Sequence, residues 1–214
     1  MKYLFSAIFI ISTAIHLFAS AKQNKKLRNI TKPFILLSLL GYYCCACEMP
    51  AVSVILALIF SWIGDVLLIP SGTKWFTAGG ISFMISHAFF ALSYYKYIEF
   101  AKVPIVCIVL LGAFFAVIVS IIFSKLKPHL PKALFYPMFL YLLINGTMNC
   151  FAIFRYITDP CIPSLITCIG AIMFFISDSI LFFVRFDKDS KIKTHFWVMF
   201  TYSFGELLIV LGLI

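Results

Sequence analysis

The chain has 214 residues, of which 63% are hydrophobic and only 12% are charged, and its formal net charge is +9. A soluble domain of this size cannot bury so many apolar side chains, so the composition excludes a soluble globular protein and predicts an integral membrane protein. The positive charge is expected to face anionic lipid head groups rather than nucleic acid, because no basic and aromatic platform projects into water.

The predicted elements are apolar runs long enough to cross about 30 Å of hydrocarbon. Each must be a helix, since backbone groups in lipid need internal hydrogen bonds. The connections are short and contain no linker, so residues 1–214 are predicted to form one all-α, polytopic membrane domain with eight transmembrane helices. The second run is short and is expected to tilt or to extend into its flanks. In chain order the runs lie at 3–19, 33–47, 51–69, 78–95, 103–123, 133–154, 163–184 and 195–213.

The first run also has the features of a secretory signal peptide, with Ala19 and Ala21 at a possible cleavage site. The segment "KQNKKLRNITK" that follows is far more basic than the single Lys2 in front of the run. A basic flank of this kind stays in the cytoplasm and holds the N-terminus outside. The sequence therefore favours a retained first helix.

The basic residues of the whole chain indicate the orientation of the helices. With eight spans, the outer side carries Lys2, Lys96, Lys102 and Arg155. This asymmetry predicts that both termini are non-cytoplasmic, in the inner membrane if the source is a bacterium. The predicted cytoplasmic loops carry Lys22, Lys25, Lys26, Arg28, Lys32, Lys74, Lys125, Lys127, Lys132, Arg185, Lys188, Lys191 and Lys193.

Two aspartates occur in matching apolar contexts. The segments "SWIGDVLLIP" (61–70) and "FFISDSILFF" (174–183) share the pattern Ile-[Gly/Ser]-Asp-x-[Leu/Ile]-Leu. They fall in the third and seventh spans, which predicts two parallel four-helix repeats with Asp65 and Asp178 at matching depth, roughly 6–9 Å inside the bilayer. A buried carboxylate usually faces a cavity or a partner. A simpler alternative is that each aspartate bonds to a nearby group, such as Arg185 for Asp178.

Further polar residues lie within the predicted spans, namely His87, Asn145, Asn149, Tyr202 and Glu206. Taken singly, a histidine or an asparagine in such a place often serves only packing or interhelical hydrogen bonding. Together with the two aspartates, they predict a polar, wet pocket inside the bundle.

The cysteines predict no metal site. The segment "CCAC" (44–47) has a C-x-x-C spacing, but no histidine or second cysteine pair lies near it in sequence. Small hydrophobic packing is the expected role of all seven cysteines. A haem or quinone site between His16 and His87 is a weak alternative, because neither histidine has a second ligand at helical spacing on its own span.

Five segments resemble the YhhN-like lysoplasmalogenase family of eight-span membrane proteins, over residues of about 31 to 213. The resemblance lies in the order and spacing of the segments, since each motif alone is weak. One departure is Glu206, where the resemblance implies a glutamine. The segments are "TKPFILLSLL", "FSWIGDVLL", "GGISFMISHAFFALSYY", "GAIMFFISDSILFFVRF" and "TYSFGELLIVLG".

The resemblance implies hydrolysis of the vinyl ether bond of a lysoplasmalogen to a fatty aldehyde and a glycerophosphocholine or glycerophosphoethanolamine. This chemistry needs an acid that protonates the outer vinyl carbon and a base that accepts a proton from water, as two carboxyl groups do in glycosidases. Asp65 and Asp178 are predicted to form that pair, without assignment of acid and base. His87 is predicted to orient one of them or to carry protons, and Asn149, Tyr202 and Glu206 are expected to line the pocket. No metal or organic cofactor is needed.

The expected substrate is a single-chain lysophospholipid that enters sideways between helices, with its phosphate near Lys32 and Lys74. The main alternative is a proton-coupled transporter of a small solute or a lipid that uses the same two aspartates. A purely structural membrane protein is a further alternative. The sequence leaves open the head group, the oligomeric state and whether another bond of the lysolipid is the target.

Overall fold

The computed structural model describes residues 1–187 and 195–214, and within these residues it contains eight α-helices and no strand. The all-α prediction is therefore confirmed. Three short 3-10 turns flank the fifth helix. The helices are α1 (Lys2–Ala21), α2 (Lys25–Ala46), α3 (Val52–Leu67), α4 (Thr73–Tyr95), α5 (Ile105–Leu126), α6 (Phe135–Thr158), α7 (Ile162–Phe186) and α8 (Phe196–Leu211).

The second helix begins eight residues before the apolar run at 33–47. Asn24 caps it, because its side chain accepts a hydrogen bond of 3.1 Å from the backbone N–H of Leu27. The first turns of α2 are basic, so they lie outside an apolar window although they are helical. Pro33 lies inside the helix and has no N–H, which leaves the carbonyl of Asn29 without its usual helical donor.

Five helices are long and apolar enough to cross a membrane within the described part of the chain: α1, α4, α5, α6 and α7. α3 and α8 are shorter apolar helices. The outer helix α5 leaves large apolar side chains exposed, among them Ile105, Leu110 and Val117, which suits contact with lipid. These features support a membrane-embedded protein, while the count of eight spans stays a prediction.

Seven of the helices form a closed ring. The packing runs from α1 through α2, α3, α4, α6, α7 and α8 and returns to α1, whereas α5 lies outside and packs against α6 and α7. Fully buried apolar side chains such as Phe90, Leu142, Phe174 and Ile209 fill the inside of the bundle. Because α1 packs against both α2 and α8, the first helix is an integral part of this ring.

The tightest helix pair, α7 and α8, depends on two facing glycines. A Cβ atom added to Gly170 would lie 2.7 Å from the carbonyl oxygen of Gly205, and one added to Gly205 would lie 2.9 Å from that of Gly170. Small residues of this kind allow two helix backbones to approach each other closely in a membrane. The contact fixes Asp178 on α7 relative to Tyr202 and Glu206 on α8.

Candidate active site

A cavity of about 110 Å³ opens at one end of the bundle. Its walls come from the C-terminal parts of α1, α3 and α7 and from the N-terminal parts of α2, α4 and α8, which meet at this end. Asp65 and Asp178 both line the cavity. The other polar or aromatic lining residues are His16, Arg28, Asn29, Lys32, Phe76, Phe83, Ser177, Arg185, His195 and Tyr202.

Asp65 is held between α2 and α8. Its side chain is 2% exposed, and its Oδ1 atom lies 3.1 Å from the Nζ atom of Lys32. The phenol of Tyr202 donates a hydrogen bond of 2.9 Å to Oδ2. A carboxylate buried to this degree needs a partner of opposite charge, and Lys32 provides that partner.

Asp178 has a different set of neighbours. Its Oδ2 atom accepts a hydrogen bond of 2.5 Å from the phenol of Tyr141 and one of 2.8 Å from the side-chain amide of Asn145. The Nε2 atom of His87 lies 3.4 Å from the same oxygen. All three contacts converge on Oδ2, so Asp178 is surrounded by uncharged donors and one imidazole rather than by a permanent cation.

The simpler alternative for Asp178 was an ion pair with Arg185. Among the described residues, Arg185 forms no ion pair with Asp178. The guanidinium of Arg185 lies over the ring of Phe76, 5.5 Å from its centroid, in a cation–π arrangement. Arg185 therefore contributes its positive charge to the cavity wall, next to the ring of Phe76.

The cavity wall carries three basic side chains, Arg28, Lys32 and Arg185. The Nε atom of Arg28 is buried and has no hydrogen-bond partner within residues 1–187 and 195–214. Among the described residues that line the cavity, these three cations outnumber the two carboxyl groups of Asp65 and Asp178, which favours an anionic group in or near the cavity. Lys74, expected near the phosphate, is exposed and is not part of this wall.

Glu206 and Asn149 lie deeper in the bundle than the cavity. Ser61 donates a hydrogen bond of 2.8 Å to Oε1 of Glu206, and the hydroxyls of Ser61 and Ser86 are 2.7 Å apart. Oε2 of Glu206 is buried and has no hydrogen-bond partner in the described part of the chain. Asn149 donates to the backbone oxygen of Asn145 at 3.0 Å and so supports the residue that contacts Asp178.

The structure therefore brings Asp65, Asp178, Lys32 and Tyr202 to one cavity and places His87 against Asp178. Sequence reasoning missed Tyr141, although a signal existed, since Tyr141 precedes Asn145 by one helical turn. It also missed the lining roles of His16, Arg28 and His195, which come from other helix ends. Lys188, Lys191 and Lys193, counted in the predicted cytoplasmic loops, lie outside the described residues.

Among the described residues, no three His, Cys, Asp or Glu side chains gather into a possible metal site. The polar groups that line the cavity are two carboxyls, one phenol, two imidazoles, one amide, one hydroxyl and three cationic side chains. His16 of the cavity wall is hydrogen-bonded through Nδ1 to the hydroxyl of Thr31 at 2.9 Å.

Comparison with known proteins identifies the family of the chain. No curated protein and no solved structure matches the chain. Residues 27–213, which contain the cavity residues of α2 to α8, match the profile of the YhhN family. The chain therefore belongs to the YhhN family.

Proposed function

We propose that this protein is a membrane hydrolase that cleaves the vinyl ether bond of lysoplasmalogens, with Asp178 as the acid and Asp65 as the base. Membership of the YhhN family is consistent with this activity. The observation that carries the proposal is that two buried carboxyl groups line one cavity but have unlike partners. That difference is what a reaction with one proton donor and one proton acceptor requires.

We also propose that all eight helices span the membrane, with both termini outside and the cavity in the cytoplasmic half. The basic residues at the cavity end, Arg28, Lys32 and Arg185, favour this orientation. If the source is a bacterium, the protein belongs to the inner membrane.

In the first step, Asp178 donates a proton to the outer carbon of the vinyl ether. The carbon–carbon double bond supplies the electrons of the new C–H bond, and an oxocarbenium ion forms at the inner carbon. Tyr141 and Asn145 donate to Oδ2 of Asp178, so they stabilise the carboxylate that remains after transfer. The negative charge of the two carboxylates stabilises the cation, as in glycosidases.

In the second step, Asp65 accepts a proton from water while the water oxygen bonds to the cationic carbon, which gives a hemiacetal. Lys32 and Tyr202 hold Asp65 in place for this role. In the third step, Asp65 returns that proton to the glycerol oxygen as the C–O bond breaks. Asp178 takes the hydroxyl proton of the hemiacetal, so that both groups return to their starting state and the fatty aldehyde is released.

The phosphodiester of the head group is proposed to lie against the basic wall of the cavity. Lys32 was expected there, and Arg28 and Arg185 are the other cations at this wall. Arg28 offers a buried Nε–H that has no acceptor among the described residues, and guanidinium groups suit phosphate oxygens. Lys74, which is exposed, would meet only a head group that extends beyond the cavity.

The test uses purified protein in detergent with a lysoplasmalogen and with the matching saturated-ether and ester lysolipids. We expect fatty aldehyde from the vinyl ether alone, and a loss of about 100-fold or more in both Asp65→Asn and Asp178→Asn. Thermal unfolding and size-exclusion profiles establish that the variants are folded. Release of aldehyde at the wild-type rate by folded Asp65→Asn and folded Asp178→Asn would rule out the carboxylate pair.

The transporter alternative draws on one observation, the buried polar cluster of Glu206, Ser61 and Ser86 beyond the cavity. Intramembrane carboxyl groups away from a surface cavity are typical of proton-coupled carriers. A folded wild-type protein that releases no aldehyde but moves protons or solute across proteoliposome membranes would favour this alternative.

A further inference from the structure

Two small apolar spaces adjoin the polar cavity. The connecting space, of about 20 Å³, is lined by Leu68, Phe76, Gly80, Phe83, Tyr141, Asp178, Leu181 and Phe182. The lateral groove, of about 40 Å³, lies between α4 and α6. Asp178 and Leu181 line both the cavity and the connecting space, Gly80 and Phe182 line both the connecting space and the groove, and Phe76 lines all three.

The lateral groove presents an almost purely hydrocarbon surface. Of its lining residues, only Thr77 and Tyr141 have polar side-chain atoms. The hydroxyl of Thr77 donates to the backbone oxygen of Thr73 at 2.9 Å, and that of Tyr141 donates to Asp178 at 2.5 Å. Since both hydroxyls already donate hydrogen bonds, the described residues leave no free side-chain hydroxyl in the groove to bind a solute. It suits an apolar ligand.

The groove is also narrow and open to the side of the bundle. Its volume is far below the roughly 300 Å³ or more of a pocket for a drug-sized ligand, so it suits a slender chain rather than a ring system. Ile81 on its wall is 46% exposed. A Cβ atom added to Gly80 would meet no atom within 4 Å, so the absence of a side chain at Gly80 keeps this passage open.

The geometry points to the lateral groove as the binding site for the unbranched hydrocarbon chain of a single-chain lipid. This inference rests on the proposed function and adds where the chain lies and by which route it enters, namely between α4 and α6. With the chain in the groove and the phosphodiester at Arg28 and Arg185, the ether linkage falls at the junction of apolar and polar spaces. Asp178 lines that junction.

The decisive variant is Gly80→Leu, which fills the passage from within. Gly112 on α5 provides a matched control, because it is exposed and a Cβ atom added there also meets no atom within 4 Å. Both substitutions replace a helical glycine by a good helix former, so both remove the same unfavourable backbone term. Only Gly80→Leu obstructs the groove.

Binding is measured with long-chain and short-chain saturated-ether lysophosphocholine, which the proposed reaction does not cleave, by native mass spectrometry from detergent. We expect Gly80→Leu to weaken long-chain binding by about tenfold, equivalent to the loss of roughly two buried methylene groups, with short-chain binding little changed. Gly112→Leu should bind both lipids like wild type. Equal long-chain affinity in Gly80→Leu and wild type would overturn the inference.

A second measurement needs no variant. A long-chain lysophosphocholine with a photoreactive group at the end of its chain should label the groove residues of α4 and α6, such as Ile81 and Met138. The inference would be overturned if the probe labelled the apolar hollow at the other end of the bundle, where Phe9 and Leu211 lie, and not the groove. Because neither measurement requires turnover, each separates failure of the groove from failure of the proposed hydrolysis, which aldehyde release tests.

Discussion

Asp65 and Asp178 lie in closely similar sequences, and their partners come from equivalent helices. Asp65 on α3 contacts residues of α2 and α8. Asp178 on α7 accepts hydrogen bonds from residues of α6 and lies 3.4 Å from His87 of α4. The two parallel four-helix repeats stay a prediction, in which α2 corresponds to α6 and α8 to α4. Lys32 precedes Asp65 by 33 residues, and Asn145 precedes Asp178 by 33 residues. At this equivalent position one aspartate has a cation and the other a neutral amide.

The comparison teaches that two aspartates in similar sequences can have unlike neighbours, and under the proposed mechanism these neighbours give each aspartate a separate task. An ammonium group stabilises a carboxylate, whereas amide and phenol donors leave room for a protonated acid and stabilise its conjugate base after proton transfer. The two sites therefore differ in the residue that lies 33 positions before each aspartate, Lys32 in one and Asn145 in the other, and not in the aspartates themselves.

The largest effect is expected from removing the acid. Asp178→Asn should lower kcat by roughly 1,000-fold, because no other group supplies the proton that the vinyl carbon needs, and Asp65→Asn by roughly 100-fold, because an oxocarbenium ion still reacts with unassisted water. The measurement is single-turnover release of aldehyde by the two variants at saturating substrate. A larger loss in Asp65→Asn would reverse the assignment of acid and base.

The next largest effect is expected from removing the cation beside Asp65, which is Lys32. Lys32→Asn places at α2 the residue type found at the equivalent position of α6, so that Asp65 has neutral donors only. We expect kcat to fall by about 10- to 100-fold, and the free energy of unfolding to fall by roughly 3 kcal/mol because a buried carboxylate loses its partner. Lys26→Asn, an exposed position on the same helix, is the control for a lost surface charge.

In the double variant Lys32→Asn with Asp65→Asn, the unpaired carboxylate is absent. Its stability should therefore recover toward that of the wild type while activity stays low. A double variant that is as unstable as Lys32→Asn alone would mean that Lys32 stabilises the protein through other contacts.

A smaller effect is expected from the two phenols, each of which donates to one aspartate. Tyr141→Phe and Tyr202→Phe remove a single hydroxyl and keep the ring, and a hydrogen bond to a charged group contributes about 1.5–3 kcal/mol. Tyr141→Phe should lower kcat by about tenfold with little change in KM, since its hydrogen bond strengthens as Asp178 loses its proton. Tyr202→Phe should have the weaker effect, because Lys32 still holds Asp65.

Kinetics at a range of substrate concentrations separate these two variants. Equal losses of kcat in Tyr141→Phe and Tyr202→Phe would mean that the two phenols contribute equally to the reaction. The hydrogen bonds of the phenols would then not distinguish the acid from the base.

Much of this site could be predicted from the sequence because lipid imposes a strong rule: a polar side chain within an apolar helix is costly and usually faces a cavity or a partner. Asp65, Asp178 and His87 stand out by that rule, and the one-turn spacing from Glu206 marks Tyr202. Tyr141 does not, since a tyrosine is common in membrane helices and only its one-turn spacing from Asn145 marks it.

Contacts between distant segments could not be predicted in the same way. Arg28 and His195 look like ordinary residues near the ends of helices, and only the meeting of α2, α7 and α8 at one end of the bundle brings them to the cavity. The early start of α2 and the position of α5 outside the ring depend on a cap and on packing, neither of which an apolar window detects.

The smallest effect is expected at the third buried carboxyl group, Glu206. Glu206→Gln keeps an oxygen that accepts from Ser61 and replaces Oε2 by an amide nitrogen with two donors. The neighbouring hydroxyl of Tyr94 is buried without a hydrogen-bond partner among the described residues. The family resemblance also implies glutamine at this position. We therefore expect kcat and KM within about twofold of wild type and a thermal midpoint that is unchanged or higher, because buried polar atoms gain partners.

Glu206→Leu, which keeps the approximate volume but removes both oxygens, should lower the midpoint and is the control for polarity. If Glu206→Gln instead abolished aldehyde release in a folded protein, the reaction would depend on a titratable group beyond the cavity, and the comparison of two aspartates would become one of three carboxyl groups.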